Sequence, residues 1–362
     1  VEKCVNANTG EHARSQTKRN ERKRSETKPN EAKRTQTKPN EAKRTRTSRR
    51  DPMTLPPAAS PSEIAARETR RLAMRPHEAV DRLQSLLRRA RPLVMGIVNL
   101  TDDSFSGDGL QGDTAGAVAR ARAQAAAGAD IVDLGAESTR PGAAPVPFQQ
   151  EIARLVPVIE ALRRAAPELL ISVDTRHAGT MRAAAVAGAH LINDISALAG
   201  EGSLEAALRS GLPVVLMHMQ GEPGSMQAAP RYEDVAREVR DYLAARIAAC
   251  RAAGFTRERL LIDPGIGFGK TAEHNLQLLH RLHVFRALGY PLLAGVSRKS
   301  FIGAAGGIAD PQRRLPGSIA AGLWAVQQGA KILRVHDVAE TVQALRVWQA
   351  IDAEKLNETA QM

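Results

Sequence analysis

Asp174, Asn193 and Asp263 each close a short aliphatic run, in LLISVDT (169–175), HLINDIS (190–196) and LLIDPG (260–265). Two carboxylates and an amide at the ends of three different runs suit a flat heterocycle with an amidine-like edge, such as a pterin. A carboxylate pairs with ring N–H groups, and an amide reads N–H and C=O together. Lys299 follows the seventh run, Arg334 and His336 end the eighth, and together they bring positive charge. With Asn99 and backbone N–H groups of the early loops, they suit a dianionic leaving group such as pyrophosphate. Structural ion pairs are the plainer reading of carboxylates beside cations. The separation of acids on middle runs from bases on late ones argues against it.

Other chemical residues rank lower. His218 sits between Met217 and Met219 in an apolar run and reads as a wall or core residue. His177, His190, His274, His280 and His283 stand at helix-like or strand-start positions and carry no signal. The run Gly265-Ile266-Gly267-Phe268-Gly269-Lys270 lacks Walker spacing and reads as a flexible strand-to-helix turn, with Phe268 able to cover a substrate.

The elements that must position these groups are legible as an alternation. Aliphatic runs at 93–100, 129–136, 169–175, 190–196, 213–219, 260–265, 291–297 and 331–337 read as strands. Stretches rich in Ala, Leu and Arg, such as 114–127, 148–165, 233–253, 272–288 and 338–351, read as helices between them. Eight such units in roughly 260 residues fit a closed (β/α)8 TIM barrel of the α/β class. A doubly wound sheet would want a glycine fingerprint after the first strand, and Gly107-Asp108-Gly109 lacks the third glycine. Seven of the eight runs end in a polar cluster. Any one could be a helix N-cap, but a barrel brings all these ends to one face, so their repetition predicts a single ligand-binding mouth.

The remainder of the 362 residues divides at about 52 and 91. Residues 1–52 hold 16 Lys+Arg and 7 Asp+Glu, most of the net charge of +12, and contain a ten-residue repeat read from Lys23 and Lys33. Without apolar periodicity this basic tail reads as disordered. It has no aromatic residue to stack on bases, so a solvated extension is favoured over a nucleic-acid arm. Residues 53–91 form a helical leader expected to pack on one end of the barrel, which occupies 92–362. Cys4 and Cys250 are the only cysteines and stand apart, which suits a reducing, cytoplasmic setting. No run of about 18 apolar residues predicts a membrane helix.

In this order the motifs resemble those of the dihydropteroate synthases. Met95-Gly96-Ile97-Val98-Asn99-Leu100-Thr101-Asp102-Asp103-Ser104-Phe105-Ser106 is similar to the first signature of that family, and Gly135-Ala136-Glu137-Ser138-Thr139-Arg140-Pro141-Gly142 to the second. The segments 172–175, 192–194, 216–221, 263–265, 297–300 and 334–337 follow in register. The resemblance covers about residues 92–350. It implies condensation of 6-hydroxymethyl-7,8-dihydropterin pyrophosphate with p-aminobenzoate, giving 7,8-dihydropteroate and pyrophosphate. It further implies that Asp174, Asn193, Asp263 and Lys299 hold the pterin. Asn99, Arg334 and His336 would bind pyrophosphate, with Asn99 near Mg²⁺. Phe105, Thr139, Arg140, Pro141, Phe268 and Ser300 would shape the p-aminobenzoate site, a target of sulfonamides, in a homodimer. Two departures, Asp102 where the family has Pro and Gly107-Asp108-Gly109 where it has Asp-Gly-Gly, fall in the first loop and bear on its closure. Two rival readings remain: a pterin-dependent methyltransferase working with a corrinoid protein, which has no need of a pyrophosphate site, and a silent pterin-binding or partner-recruiting protein.

Overall fold

The computed structural model describes residues 76–101, 113–138 and 145–361, all within one compact unit spanning Ala58–Met362. The basic tail, most of the leader, and the loop positions Asp102, Phe105, Gly107-Asp108-Gly109, Thr139, Arg140 and Pro141 lie outside the described residues.

Eight parallel strands appear where the aliphatic runs placed them. They are β1 (Leu93–Asn99), β2 (Ile131–Gly135), β3 (Leu170–Asp174), β4 (Leu191–Asp194), β5 (Val214–Met217), β6 (Leu260–Asp263), β7 (Leu293–Ala294) and β8 (Ile332–Val335). Their order is β6-β5-β4-β3-β2-β1-β8-β7, and a parallel bridge from Ile262 to Leu292 closes the last seam. A closed barrel leaves no strand edge unpaired, and it sends every strand end to the same rim. Each strand is followed by helix: α2 (Thr114–Ala126), α3 (Phe148–Ala165), α4 (Ala178–Ala187), α5 (Ser203–Ser210), α6 (Val235–Ala253), α7 (Ala272–His280), α8 (Ser300–Gly306), α9 (Leu315–Gln327) and α10 (Val338–Gln361). The expected helix over 272–288 is divided. Its second half, Leu282–Leu288, is 3-10 helix, ended by Gly289 at φ 75°.

The strand period of two sorts side chains between two cores. Outward residues such as Val94, Val98, Val132, Leu134, Ile171, Val173 and Leu333 pack beneath the helices. Inward residues Leu93, Met95, Ile131, Leu170, Leu191, Val215, Leu261, Leu293 and Ile332 form a separate aliphatic layer inside the barrel. The preceding helix α1 (Pro76–Leu87) covers that layer with Leu83, Leu86 and Leu87. Further along the same inward rows the residues turn polar: Asp133, Ser172, Asn193, Asp263 and Arg334. The barrel therefore has an apolar, plugged end and a polar, open end. The polar end is the one into which the strands run.

Candidate active site at the strand ends

A cavity of about 480 Å³ opens at this end. Asn99, Asp174, Lys299, Ser300, Arg334, His336 and Phe268, drawn from five different strands and the connections that follow them, all line it. Asn193 and Asp263 do not. They sit in the buried polar layer beside it, 4% and 5% exposed.

Arg334 organises the floor. Its Nε donates to Asp133 Oδ2 at 2.6 Å, and one terminal nitrogen donates to Asp174 Oδ2 at 2.9 Å. Asn193 Nδ2 donates to the same Asp133 oxygen at 3.0 Å. Strands β8, β2, β3 and β4 are thereby joined through one guanidinium, whose planar fork suits carboxylates on either side. Burial works to lower the Arg334 pKa, but Asp133 and Asp174 outweigh it, and the guanidinium is held above its usual range. Burial pushes the Asp174 carboxyl up to about 7, against the pull of Arg334 and with the help of the neighbouring Asp133. Asp263 is raised by burial as well, and Lys299 and the Gly265 N–H pull it back. Lys299 is lowered to about 8 by burial, with Asp263 opposing the shift. Gly135 stands between Asn99 and Asp174, and a Cβ there would lie 3.9 Å from both Asn99 Oδ1 and Asp174 Oδ2. The absent side chain leaves that wall open.

The late strands are braced at the cavity rim by their own neighbours. Ser297 Oγ lies 3.0 Å from His336 Nδ1 and accepts from the His336 N–H at 3.2 Å, which fixes the imidazole. Arg298 adopts φ 58°, donates from its side chain to both oxygens of Asp337, and donates from its backbone N–H to Ser318 Oγ at 2.8 Å. This pinned, left-handed residue aims Lys299 and Ser300 toward the cavity.

Some residues of the polar clusters are structural. Asp194 Oδ1 accepts from the Ser196 N–H and Oγ, both at 2.7 Å, and Oδ2 accepts from the Leu198 N–H at 2.9 Å. These bonds hold Ala197 and Leu198 at positive φ. Thr175 donates to the buried Glu151 at 3.0 Å. His218 is buried with its ring edge-on to Tyr242. The turn over residues 265–270, expected to be flexible, is instead bonded at both ends and in the middle. Lys270 Nζ reaches the carbonyls of Gly265 and Phe268, and Asn275 Oδ1 accepts from the Gly267 N–H at 2.6 Å. A lysine with a long apolar stem, folded back under its own turn, is not visible from spacing alone.

Asp133 was missed by the sequence reading. It lies inside a strand-like run rather than at its end. Its signal was parity: Ile131, Asp133 and Gly135 share one face of β2, and a carboxylate inside a barrel needs a partner.

The described residues contain no group of three or more His, Cys, Asp or Glu arranged to hold a metal. Asn99 contributes a neutral amide oxygen at the cavity wall. So sparse a donor set would suit only a hard, largely hydrated cation such as Mg²⁺, with Asn99 as its one protein ligand among the described residues.

Comparison with known proteins agrees with this geometry. The profile of the pterin binding enzymes matches residues 95–336. Dihydropteroate synthase of Escherichia coli strain K12 is 50% identical over 268 residues, covering 74% of this chain and 94% of that protein. The chain belongs to the dihydropteroate synthase family. Within the family, the Xanthomonas albilineans enzyme crystallised with 4-aminobenzoic acid is 51% identical with a TM-score of 0.68, covering 73% of this chain and 94% of that one. The Burkholderia cenocepacia enzyme complexed with 7,8-dihydropteroate is 46% identical, also at a TM-score of 0.68, over 74% of this chain and 94% of that one. No described helix is long and apolar enough to cross a membrane.

Proposed function

We propose that the cavity joins 6-hydroxymethyl-7,8-dihydropterin pyrophosphate to p-aminobenzoate, releasing 7,8-dihydropteroate and pyrophosphate. The observation that carries this reading is the polar floor. One guanidinium is shared by Asp133 and Asp174, an amide and a third carboxylate lie beside it, and a lysine and a histidine stand on the late strands. The aminopyrimidine edge of a pterin offers N–H groups to carboxylates and both N–H and C=O to Asn193. Asp133 Oδ1 and Ser172 Oγ are buried and without a protein partner among the described residues, so they can receive a ligand or ordered water.

The C–O bond to pyrophosphate breaks toward the cationic side. Arg334 spends Nε and one terminal nitrogen on carboxylates, which leaves its other terminal nitrogen for an anion. His336, oriented by Ser297, stands beside it. Cationic donors stabilise the charge that develops on the leaving group. Asn99 would hold Mg²⁺, which neutralises diphosphate charge when bound. The electron-rich dihydropterin carries the methylene cation, and the negative field of Asp174 and Asp263 favours it. The neutral arylamine then attacks the methylene carbon, and its proton passes to the released pyrophosphate or to solvent. The side of the cavity lined by Phe268 and Ser300 suits its flat ring. By family resemblance, Phe105, Thr139, Arg140 and Pro141 complete that side. A homodimer is consistent with the exposed Leu276 and Trp324 on α7 and α9, and a reducing cytoplasm with the buried free thiol of Cys250.

The test is pyrophosphate release by the purified chain given dihydropterin pyrophosphate, Mg²⁺ and p-aminobenzoate. Release that depends on p-aminobenzoate, with dihydropteroate as product, supports the reading. Pterin binding without release would favour a methyltransferase or a silent binder.

A further inference from the structure

Lys270 lies outside the cavity and is 2% exposed. Its Nζ is 2.9 Å from the Gly265 carbonyl, 3.0 Å from the Phe268 carbonyl and 3.0 Å from His218 Nδ1. Burial pushes the Lys270 amine well below its usual range, and in either protonation state Nζ can make three hydrogen bonds, so these three partners satisfy it completely. His218 follows β5, whereas the two carbonyls belong to the turn after β6. One buried lysine nitrogen thus fastens a turn to the neighbouring strand end.

The turn in question carries Lys299. Lys299 Nζ donates to the Ile266 carbonyl and lies 4.4 Å from the centre of the Phe268 ring. Gly267, at φ 83°, passes so close that a Cβ would come within 2.8 Å of Lys299 Cδ. Residues 266–268 are therefore a rest for Lys299, and Phe268 is the face that the rest presents to the cavity. Only glycine permits the backbone path at either side. At Gly265 a Cβ would collide with the His218 carbonyl, and at Gly269 with the Gln220 carbonyl. Tyr232 closes the arrangement: its hydroxyl donates to the Gly269 carbonyl at 2.9 Å, and its ring lies 5.9 Å from Lys270 Nζ. Burial and Lys270 together depress His218 to about 3. Its ring is thus neutral, and Nδ1 can pair with the Lys270 nitrogen.

We propose that Lys270 is a positioning residue for the synthase reaction, which clamps the 265–269 turn to His218 and so sets Phe268 against the arylamine side of the cavity. Its kinetic consequence rests on the function proposed above; the clamp itself does not. The pterin floor is anchored independently, through Arg334, Asp133, Asp174 and Asn193, and Lys299 is held from its own side by the Arg298–Asp337 pair. Loss of the clamp should therefore fall on p-aminobenzoate rather than on the pterin.

The experiment compares the full chain with Lys270→Met, His218→Leu and His218→Asn. The amide oxygen of Asn can take the place of Nδ1, whereas Leu offers no acceptor. The KM for p-aminobenzoate is measured at saturating dihydropterin pyrophosphate. The Kd for dihydropterin pyrophosphate with Mg²⁺ is measured by calorimetry, and backbone hydrogen exchange is followed over residues 264–270. Lys270→Met is expected to raise the KM at least tenfold, to change the pterin Kd less than threefold, and to speed exchange of the Gly267 and Phe268 amides. His218→Leu should move in the same direction, and His218→Asn should stay within threefold of the unaltered chain. The proposal is overturned if Lys270→Met leaves KM and exchange unchanged, if pterin and p-aminobenzoate binding weaken equally, or if Leu and Asn at 218 behave alike. Should Lys270→Met fail to fold, the two His218 variants decide. If the unaltered chain shows no release dependent on p-aminobenzoate, the proposed function fails, and the exchange measurement still shows whether Lys270 holds the turn.

Discussion

Arg334 and Asp133 stand 201 residues apart in the chain and 2.6 Å apart in the barrel. Asp133 lies inside β2, with no exposed surface, and Arg334 reaches it from β8 across the intervening β1. The pair closes the floor of the cavity and turns the remaining guanidinium edge toward a ligand. Removing the cation leaves two carboxylates facing each other without compensation. Breaking one partner of a buried pair costs about 3–5 kcal/mol. Arg334→Met should therefore lower the melting temperature markedly and abolish turnover together. Retained stability with lost turnover would show that the pair serves chemistry alone.

Asp174 also holds Arg334, but from the cavity wall. Asp174→Asn keeps the shape, removes the charge and weakens a charge-assisted bond, a loss of about 1.5–3 kcal/mol, or roughly ten- to a hundredfold in rate. Turnover should fall by that factor while the KM for p-aminobenzoate stays within a few fold. Equal loss in both would contradict a role at the pterin.

Two groups give the reaction a narrow pH range. Asp174, raised to about 7, loses its charge as pH falls through 7. Lys299, lowered to about 8, loses its charge as pH rises through 8. If both must be ionised in the free protein, kcat/KM for dihydropterin pyrophosphate follows a bell with limbs near those values. Lys299→Met should weaken catalysis and remove the alkaline limb. A flat profile from pH 6 to 9 would show that neither titration matters.

Glu137 begins the second loop, and its carboxylate holds three elements together. It accepts from Arg176 Nε and a terminal nitrogen at 3.3 and 3.2 Å, and from the Val146 N–H at 3.4 Å. Both ends of the 138–145 connection are thus pinned to one side chain. Glu137→Gln should leave pterin affinity near its starting value and raise the KM for p-aminobenzoate several fold. A calorimetric titration of the pterin beside steady-state kinetics would separate the two.

The apolar end offers a control. Leu83 from α1 is 1% exposed and packs on the inward aliphatic layer. Leu83→Ala should cost about 3–5 kcal/mol of stability through lost burial and a cavity. It should leave both KM values unchanged, because the polar layer separates it from the cavity. A change in KM would mean that the plug and the mouth are coupled.

Aliphatic runs alternating with helical stretches, and the polar ends of those runs, determine the barrel, its strand positions and the identity of the mouth. These signals are local: a strand buried on both faces must be aliphatic, and a strand end facing a ligand must be polar. Asn99, Asp174, Lys299, Arg334 and His336 were readable on that basis, and the fold brings them to one cavity. Their partners were not readable. That Arg334 is shared by Asp133 and Asp174, that Asp194 holds a turn, and that Lys270 reaches back to His218 are decided by barrel closure. Closure places strands that are distant in sequence side by side, where buried charges must find whichever acceptor is near. A sequence shows which residues carry charge; only the tertiary structure assigns each charge its partner, because desolvation makes the choice and desolvation depends on what surrounds the group.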